Sequence, residues 1–191
     1  DYDVDGYSSS YILYDYFTNI NINCEFFIPD RFLDGYGPNI PLLKKLINNK
    51  NYGLVFFVDC GSNSIDEIML LENFGLKTII IDHHKIYKKN KFKNTVIINP
   101  LKKFIIDQYS YFCATSLVYF FIKYLINVLK IKKKIDLNKY LFFSAFATIC
   151  DQMPLRGPNR KIIKKGLQNF SLNNFENLKR LLIINKKITS S

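Results

Sequence analysis

Residues 53–61 read GLVFFVDCG and residues 77–84 read KTIIIDHH, with a helix-length amphipathic stretch between them. Both apolar runs are short and rich in β-branched or aromatic residues, as is typical of strands buried on both faces of a sheet. We therefore predict strands at residues 53–58 and 77–81, joined by a helix at residues 64–74. A strand–helix–strand unit of this length indicates a right-handed crossover between two parallel strands.

The same alternation of strand-like and helix-like segments extends along most of the chain. Further strands are predicted at residues 24–28 and 95–98, each of which is stopped by a nearby proline. Helices are predicted at residues 7–19, 41–49, 113–130, 137–150 and 160–170. The predicted fold class is α/β, with a doubly wound, mostly parallel sheet flanked by helices.

The composition is that of a folded domain without a membrane span. Of the 191 residues, 48% are hydrophobic and 23% are charged, and the 17 Phe and 13 Tyr supply ample surface to bury. The longest central stretch without a charge, residues 108–122, is shorter than the roughly 20 residues that cross a bilayer. Four widely spaced cysteines without a C-x-x-C pair indicate a reduced, cytoplasmic protein with buried thiols.

The net charge of +11 is weaker evidence of function than its size suggests. All but four of the 27 basic residues are Lys, and Asn is also abundant, which together are typical of an AT-rich coding sequence. We therefore favour solvated surface lysines over a dedicated polyanion-binding face.

Unusual residues follow the two strands that decide the fold. Asp59 comes directly after the first, and His83 and His84, the only histidines of the chain, follow Asp82 after the second. Functional groups of open parallel sheets collect at the carboxyl ends of strands, so we expect these side chains to lie within reach of one metal ion. Taken singly, Asp59 could equally cap a helix and the histidines could lie on the surface, but their joint placement favours a site.

The opening of the chain is a third acidic cluster. Asp1, Asp3 and Asp5 alternate and would project from one face of an extended segment, where a cation would relieve their repulsion. A calcium loop is the alternative, but the acid that such a loop needs at its twelfth position is replaced by Ile12. Because the chain begins on these acids without Met or a signal peptide, we expect it to be a fragment.

Asp151 follows the predicted helix 137–150 and completes the acidic set. A carboxylate at a helix C-terminus opposes the helix dipole, so a bound cation explains it better than simple capping does, although a plain helix-terminal Asp remains the alternative. Carboxylates combined with imidazole suit Mn²⁺ better than Mg²⁺, and two-metal sites typically serve phosphoryl chemistry. The residues therefore indicate a metal-dependent phosphoesterase.

Four segments, in their order along the chain, resemble the motifs of the DHH phosphoesterase superfamily. They are residues 1–6 (DYDVDG), residues 58–61 (VDCG), residues 82–84 (DHH) and the segment that ends in Asp151. Three further segments resemble the RecJ branch of that superfamily, which contains 5′→3′ exonucleases of single-stranded DNA. They are residues 28–32 (IPDRF), residues 35–39 (GYGPN) and residues 153–160 (MPLRGPNR). The resemblance runs from residue 1 to about residue 170.

The resemblance implies a role for each site residue. It implies two Mn²⁺ ions, with Mg²⁺ as the alternative metal. Asp3 is the implied ligand of one ion, and Asp59 is implied to bridge the two. The remaining implied ligands bind the second ion: Asp5, His83 and Asp151. It also implies that His84 contacts the scissile phosphate, that Asp1 is a catalytic acid near the site, and that Asn159, Arg160 and Arg31 bind substrate. The implied reaction is hydrolysis of the terminal phosphodiester of single-stranded DNA in recombination and repair, with single-strand-binding proteins or helicases as partners.

The chain also departs from the family pattern. The first motif normally begins with a His two residues before the position of Asp1, and residues 113–116 lack an expected glycine. The second, mobile domain and the OB-fold of the RecJ branch are not contained in this sequence. We therefore expect a DHH catalytic domain at residues 1–170 and the start of a connection to a second domain at residues 171–191. Whether this segment is active by itself stays open.

Two alternatives remain for the function. One is another phosphoesterase of the superfamily, which would act on nanoRNA, cyclic dinucleotides, polyphosphate or pyrophosphate, and residues 31–39 and 157–160 argue against it. The other is a non-catalytic module that binds nucleic acid or replication proteins. Such modules lose their acids, whereas this chain retains them.

Overall fold

Helices and strands alternate through the part of the chain that the structure, a computed structural model, describes: residues 1–49, 52–87, 91–102, 107 and 109–168. The helices are α1 (Val4–Asn19), α2 (Ile40–Asn49), α3 (Ile65–Asn73), α4 (Ala114–Val128), α5 (Leu137–Cys150) and α6 (Pro158–Gln168). The strands are β1 (Leu54–Val58), β2 (Lys77–Ile81) and β3 (Thr95–Ile98), and a 3₁₀ turn covers Pro100–Lys102. The predicted end of the last helix at residues 169–170 and the predicted connection at residues 171–191 lie outside the described residues.

The three strands form one parallel sheet in the order β1-β2-β3. β1 pairs with β2 from Leu54↔Lys77 to Val58↔Ile81, and β2 pairs with β3. The ladder continues one residue further, because Asp59 N donates to Ile81 O at 3.0 Å and Asp82 N donates to Ile98 O at 3.1 Å. Asp59 and Asp82 therefore lie side by side at the carboxyl edge of the sheet.

Helices cover both faces of this sheet, so the predicted α/β fold is confirmed. Val58 and Ile81 face a core built with α1, α4, α5 and α6, whereas Phe57 and Ile80 face a smaller core built with α2 and α3. Successive residues of one strand thus enter opposite cores, as the two-residue period of a strand requires. This explains why the strands are apolar at almost every position rather than at alternate ones.

The predicted strand at residues 24–28 is wrong. The segment has no regular secondary structure, and an apolar cavity of about 850 Å³ is lined both by it and by β1. Phe26 and Phe27 are about half exposed at its margin. A short, mostly apolar run stopped by a proline predicts an extended backbone, but a strand also needs a neighbour to complete its hydrogen bonds, and among the described residues none pairs with this segment.

Helix α1 begins three residues earlier than predicted. Asp3 is its N-cap, with Oδ1 accepting a hydrogen bond from Gly6 N at 2.9 Å. Asp5 therefore lies in the first helical turn, so the prediction that Asp1, Asp3 and Asp5 share one face of an extended segment is wrong.

The prediction of buried cysteine thiols is correct for two of the four cysteines. All four cysteines are free, and Cys60 and Cys113 are buried as predicted, whereas Cys24 is half-buried and Cys150 is exposed. Within the described ranges, no helix has both the length and the apolar character needed to cross a bilayer.

Candidate metal centre

Asp59 turns the chain away from the sheet at the end of β1. Its backbone has φ +58°, in the left-handed region that residues other than glycine rarely adopt, and only 1% of the residue is exposed. Such strained positions persist where the surrounding structure holds them, and they are common at functional sites. The turn directs the Asp59 carboxylate towards β2 and its histidines.

His83 lies at the centre of a group of carboxylates that we call the His83 cluster: His83, Asp5, Asp59 and Asp151. Its Nε2 is 3.2 Å from Asp59 Oδ1, 3.5 Å from Asp151 Oδ2 and 3.7 Å from Asp5 Oδ2. The acids come from three distant parts of the chain: the first turn of α1, the end of β1 and the end of α5. The structure thus brings together four residues that were predicted as ligands of one site.

Asp5 is held in the cluster by the N-terminus of α4. Its carboxylate oxygens accept hydrogen bonds from Ala114 N at 2.7 Å and Thr115 N at 2.8 Å, and Thr115 Oγ1 donates to the Asp5 carbonyl at 3.0 Å. The free N–H groups and the positive dipole end of a helix favour an anion there. A buried carboxylate, only 1% exposed, is thereby kept in one orientation.

The acids at the start of the chain form a second group around Asp59. Carboxylate oxygens of Asp1, Asp3 and Asp59 all lie within 4.8 Å of one another. Asp3 is exposed and Asp1 is half-buried, in contrast to the deeply buried Asp5 and Asp59 of the His83 cluster. Asp59 therefore lies between two sets of potential ligands, and its bridging role stays a prediction.

The carboxylates of the site are buried close to one another, which favours the binding of a cation. Burial, and then the charges of Asp5 and Asp3, raise the pKa of Asp59 to about 10. Burial also raises the pKa of Asp151, with Asp5 and Asp3 adding to the effect. Asp59 Oδ2 and Asp151 Oδ2 are buried without a hydrogen-bond partner. Oxygens of this kind beside an imidazole fit a divalent cation, because they supply the hard and borderline ligands that Mn²⁺ accepts.

His84 is oriented by Asp82 rather than by the His83 cluster. Asp82 Oδ1 accepts from His84 Nδ1 at 2.7 Å and from the backbone N of His83 and of His84, while Oδ2 accepts from Ser62 N at 3.0 Å. Burial by itself would raise the pKa of Asp82, but the hydrogen bonds from His84 and Ser62 outweigh it and hold the pKa well below its ordinary value. Asp82 therefore stays ionised, and the hydrogen bond that it accepts raises the pKa of His84.

Sequence reasoning missed two residues that support His84. Tyr36 Oη lies 3.3 Å from the His84 ring nitrogens and donates to the Asp59 carbonyl at 3.3 Å. Asn99 Nδ2 donates to the His84 carbonyl and to Ser62 Oγ, each at 2.9 Å. Asn99 directly follows β3, just as Asp59 follows β1, so its place after a buried strand was a signal that could have found it.

The three residues predicted to bind substrate lie outside the ligand groups. The Arg31 guanidinium stacks at 5.2 Å from the ring centroid of Tyr2, next to Asp1, and Arg160 is exposed near the start of α6. Asn159 is 1% exposed, and its Nδ2 donates to Tyr111 O at 2.7 Å and to Pro154 O at 3.1 Å. Arg31 and Arg160 are accessible to a substrate, whereas Asn159 joins two segments in the interior. Their roles stay predictions.

Known proteins similar to this chain are RecJ exonucleases. The single-stranded-DNA-specific exonuclease RecJ of Bacillus subtilis (strain 168) is 28% identical over 182 residues, which are 95% of this chain and 22% of that protein. The protein of the same name from Thermus thermophilus is 27% identical over 95% of this chain and 26% of its own length. The chain thus spans about a quarter of the length of these relatives.

Two solved structures of RecJ have a fold similar to that of this chain. A crystal structure of exonuclease RecJ bound to manganese matches 88% of this chain and 41% of its own, with a TM-score of 0.76 and 26% identity. A second, of RecJ in complex with Mn²⁺ from Thermus thermophilus, matches 88% of this chain and 23% of its own, with a TM-score of 0.69. At 24% identity, the second match is evidence for the fold alone.

A family model describes most of the chain. The N-terminal domain of the DHH family matches residues 1–147, which include Asp1, Asp59 and the Asp82-His83-His84 segment. That match covers β1, β2 and the carboxyl edge of the sheet, and of the His83 cluster only Asp151 lies beyond it. The chain therefore belongs to the DHH family.

Proposed function

We propose that this chain is the metal-binding catalytic domain of an exonuclease that hydrolyses single-stranded DNA from its 5′ end. The observation that carries the proposal is the His83 cluster, in which Asp59 and Asp151 each keep a buried carboxylate oxygen without a hydrogen-bond partner. Similarity to RecJ exonucleases along 95% of the chain supports the substrate class. We further propose that residues 1–170 form this domain, that residues 171–191 begin a connection to a second one, and that the protein acts in the cytoplasm.

Two groups of residues would hold the ions, for which we propose Mn²⁺ with Mg²⁺ as the alternative. Asp5, Asp59, His83 and Asp151 would bind one ion, and Asp3 with Asp59 would contribute to a second. When bound, the ions would activate the attacking water and stabilise the charge that develops on the phosphate oxygens. The manganese in the RecJ structure that is 26% identical to this chain supports this choice of metal.

The protein's own groups would orient the substrate. His84 Nδ1 donates to Asp82, which keeps the proton on that nitrogen and directs the imidazole through a fixed hydrogen bond. His84 would then contact the scissile phosphate, and Asp1 would lie beside it as a further acid. Arg31 and Arg160, both exposed, would bind substrate phosphates, while Asn159 would support them by holding the loop before α6. Single-strand-binding proteins or helicases would be partners in DNA repair and recombination.

The substrate can be tested on the full-length protein that contains this segment. We expect release of 5′-mononucleotides from single-stranded DNA in Mn²⁺, and no comparable turnover of short RNA, cyclic dinucleotides or pyrophosphate. Activity confined to pyrophosphate or to cyclic dinucleotides would show that the protein is another phosphoesterase of the family. Binding of single-stranded DNA without any turnover would indicate a non-catalytic module.

The metal mechanism is tested by Asp59→Ala. The variant should abolish nucleotide release, because it removes the carboxylate shared by both groups of potential ligands, while the circular dichroism spectrum stays that of a folded protein. Asp66→Ala is the matched control, since Asp66 is an exposed acid in the first turn of α3 and belongs to neither group of potential ligands. Undiminished turnover in Asp59→Ala would refute the role of the cluster.

A further inference from the structure

A buried group of hydroxyls and one thiol lies between α4 and α5, apart from the metal ligands. Its members, which we call the hydroxyl cluster, are all 0% exposed: Cys113, Ser116, Ser144 and Thr148. Residues 113–116 are the segment in which a glycine was expected from the family resemblance, and here that segment supplies two members of the cluster. The proposed function assigns these residues no role.

The members are hydrogen-bonded to one another across the helix pair. Ser116 Oγ on α4 lies 2.7 Å from Ser144 Oγ and 3.3 Å from Thr148 Oγ1, both on α5. Cys113 Sγ lies 3.5 Å from Ser116 Oγ and 3.6 Å from Thr148 Oγ1. Thr148 Oγ1 also bonds back to the Ser144 carbonyl at 2.6 Å, within its own helix. A buried polar network is costly when it is broken, so a complete one favours a single packing of the two helices.

The hydroxyl cluster joins two helix ends that contact or lead into acids of the His83 cluster: the N-terminus of α4, which holds Asp5, and the C-terminus of α5, which Asp151 follows. On α4, it lies at the first turn, whose Ala114 and Thr115 amides hold the Asp5 carboxylate. On α5, Thr148 is in the last turn, and the chain stays bonded to that turn through Asp151 N to the Ala147 carbonyl at 2.9 Å. The relative placement of α4 and α5 therefore sets the distance between Asp5 and Asp151 on either side of His83.

We propose that the hydroxyl cluster is a positioning device for the metal centre. It fixes the N-terminus of α4 against the C-terminus of α5 and thereby keeps Asp5 and Asp151 at the separation that one cation needs. The part of this claim that concerns metal affinity rests on the proposed function, whereas the part that concerns the Asp5 carboxylate does not. Residues that orient metal ligands from behind typically change affinity 10- to 100-fold when they are mutated.

Thr148→Val tests the proposal on this chain, because it removes the hydroxyl and keeps a similar shape. Thr148→Ser keeps the hydroxyl and should restore the wild-type behaviour. Thr78→Val is the matched control: Thr78 is also buried, at 1% exposure in β2, but its Oγ1 has no hydrogen-bond partner. It makes the same chemical change away from α4 and α5.

The first measurement is amide hydrogen exchange at Ala114 and Thr115, whose N–H groups donate to Asp5. In Thr148→Val, both amides should exchange at least about tenfold faster than in the wild type, relative to β2 amides that report global opening. Thr148→Ser and Thr78→Val should leave them unchanged. Equal protection of both amides in Thr148→Val and wild type would overturn the proposal, as would an equal effect of Thr78→Val.

The second measurement is Mn²⁺ binding by calorimetry. Thr148→Val should bind about tenfold more weakly than the wild type, and Thr148→Ser should bind like the wild type. Unchanged affinity in Thr148→Val would also count against the proposal. A wild-type chain that binds no Mn²⁺ would instead refute the proposed function, and the exchange comparison would still decide whether the hydroxyl cluster positions Asp5.

Discussion

His83 and His84 are adjacent in sequence, yet their surroundings give them different chemistry. His83 has three carboxylates within 3.7 Å of its Nε2, which is the environment of a ligand that shares a cation with acids. His84 is hydrogen-bonded to one carboxylate, that of Asp82, whose two oxygens accept hydrogen bonds from His84, His83 and Ser62. Asp82 therefore orients an imidazole and keeps no oxygen free for a metal.

Asp82→Asn should lower the pKa of His84. The hydrogen bond and the charge of Asp82 raise that pKa, and an amide at the same place keeps the shape but loses the charge. An NMR titration of the His84 ring protons in the metal-free chain measures the change. Asp66→Asn, which removes an exposed acid from α3, should leave the titration where it is. An unaltered His84 pKa in Asp82→Asn would show that another group sets it.

At the scale of elements, the site depends on how closely helices approach each other. α6 packs on α5, the helix that Asp151 follows, and Gly166 lies directly against Ala145 and Leu141 of α5. A Cβ added at Gly166 would lie 2.6 Å from Ala145 Cβ and 2.7 Å from the Leu141 carbonyl oxygen. Only a residue without a side chain fits there.

Gly166→Ala should therefore destabilise the fold by about 1–3 kcal/mol, the usual cost of overpacking. In an exposed helix, the same change would stabilise by about 1 kcal/mol, so the expected sign is reversed by packing. Urea unfolding followed by circular dichroism gives the free energy of unfolding. Gly53→Ala is the control, since a Cβ there meets nothing within 4 Å. A stabilised Gly166→Ala variant would mean that α6 can move away from α5 at little cost.

A helix or strand could be predicted where its signal lies in the local sequence, and not where it depends on contacts with distant segments. β1, β2 and β3 were predicted because burial on both faces makes each strand a short, continuous apolar run, and the helices because burial of one face imposes a helical period on the sequence. The segment at residues 24–28 has the local pattern of a strand but no pairing neighbour among the described residues, and pairing cannot be read from local sequence. The start of α1 was missed for a related reason: the side chain of Asp3 was assigned only to metal, whereas it also caps the helix.

The site residues that come soon after a strand could be predicted from the sequence. Asp59 was found because it directly follows β1, and His83 because it comes one residue after the end of β2, behind Asp82. The parallel sheet brings the ends of these two strands together. Tyr36 was missed as a site residue because a loop carries it to His84, and no period in the sequence describes that path. Ser116 and its partners were missed because hydroxyls inside helices look like ordinary helix residues until the packing of two helices is known.

At the scale of the whole molecule, charge is distributed unevenly. The chain carries a net charge of +11, yet its interior holds a group of carboxylates around His83. Surface lysines are screened by water and salt, so they do little to relieve repulsion between buried acids. Without a cation, folding must therefore be coupled to retention of protons by the His83 cluster.

The metal-free chain should accordingly lose stability as the pH rises. The folded-state pKa of Asp59 is about 10, against an ordinary value of 3.8 in the unfolded chain, so the folded state binds the extra proton between these pH values. Its contribution is fully present below about pH 4 and is lost progressively towards pH 10. The raised pKa values of Asp151 and His84 act in the same direction. Asp82 has the opposite sign, but its lowered pKa matters only in acid.

Calorimetry in EDTA at about pH 5 and about pH 8 measures this dependence. The melting temperature should be lower at the higher pH by roughly 5 °C or more, since each kcal/mol corresponds to about 2–4 °C in a domain of this size. Asp59→Asn should flatten the dependence, and Asn tolerates the left-handed backbone of that position. At the higher pH, Mn²⁺ at about 100 times its dissociation constant should raise the free energy of unfolding of the wild type by about 2.7 kcal/mol. The same concentration should raise that of Asp59→Asn far less. Equal pH slopes and equal Mn²⁺ responses in the two proteins would mean that Asp59 neither retains a proton nor binds the cation.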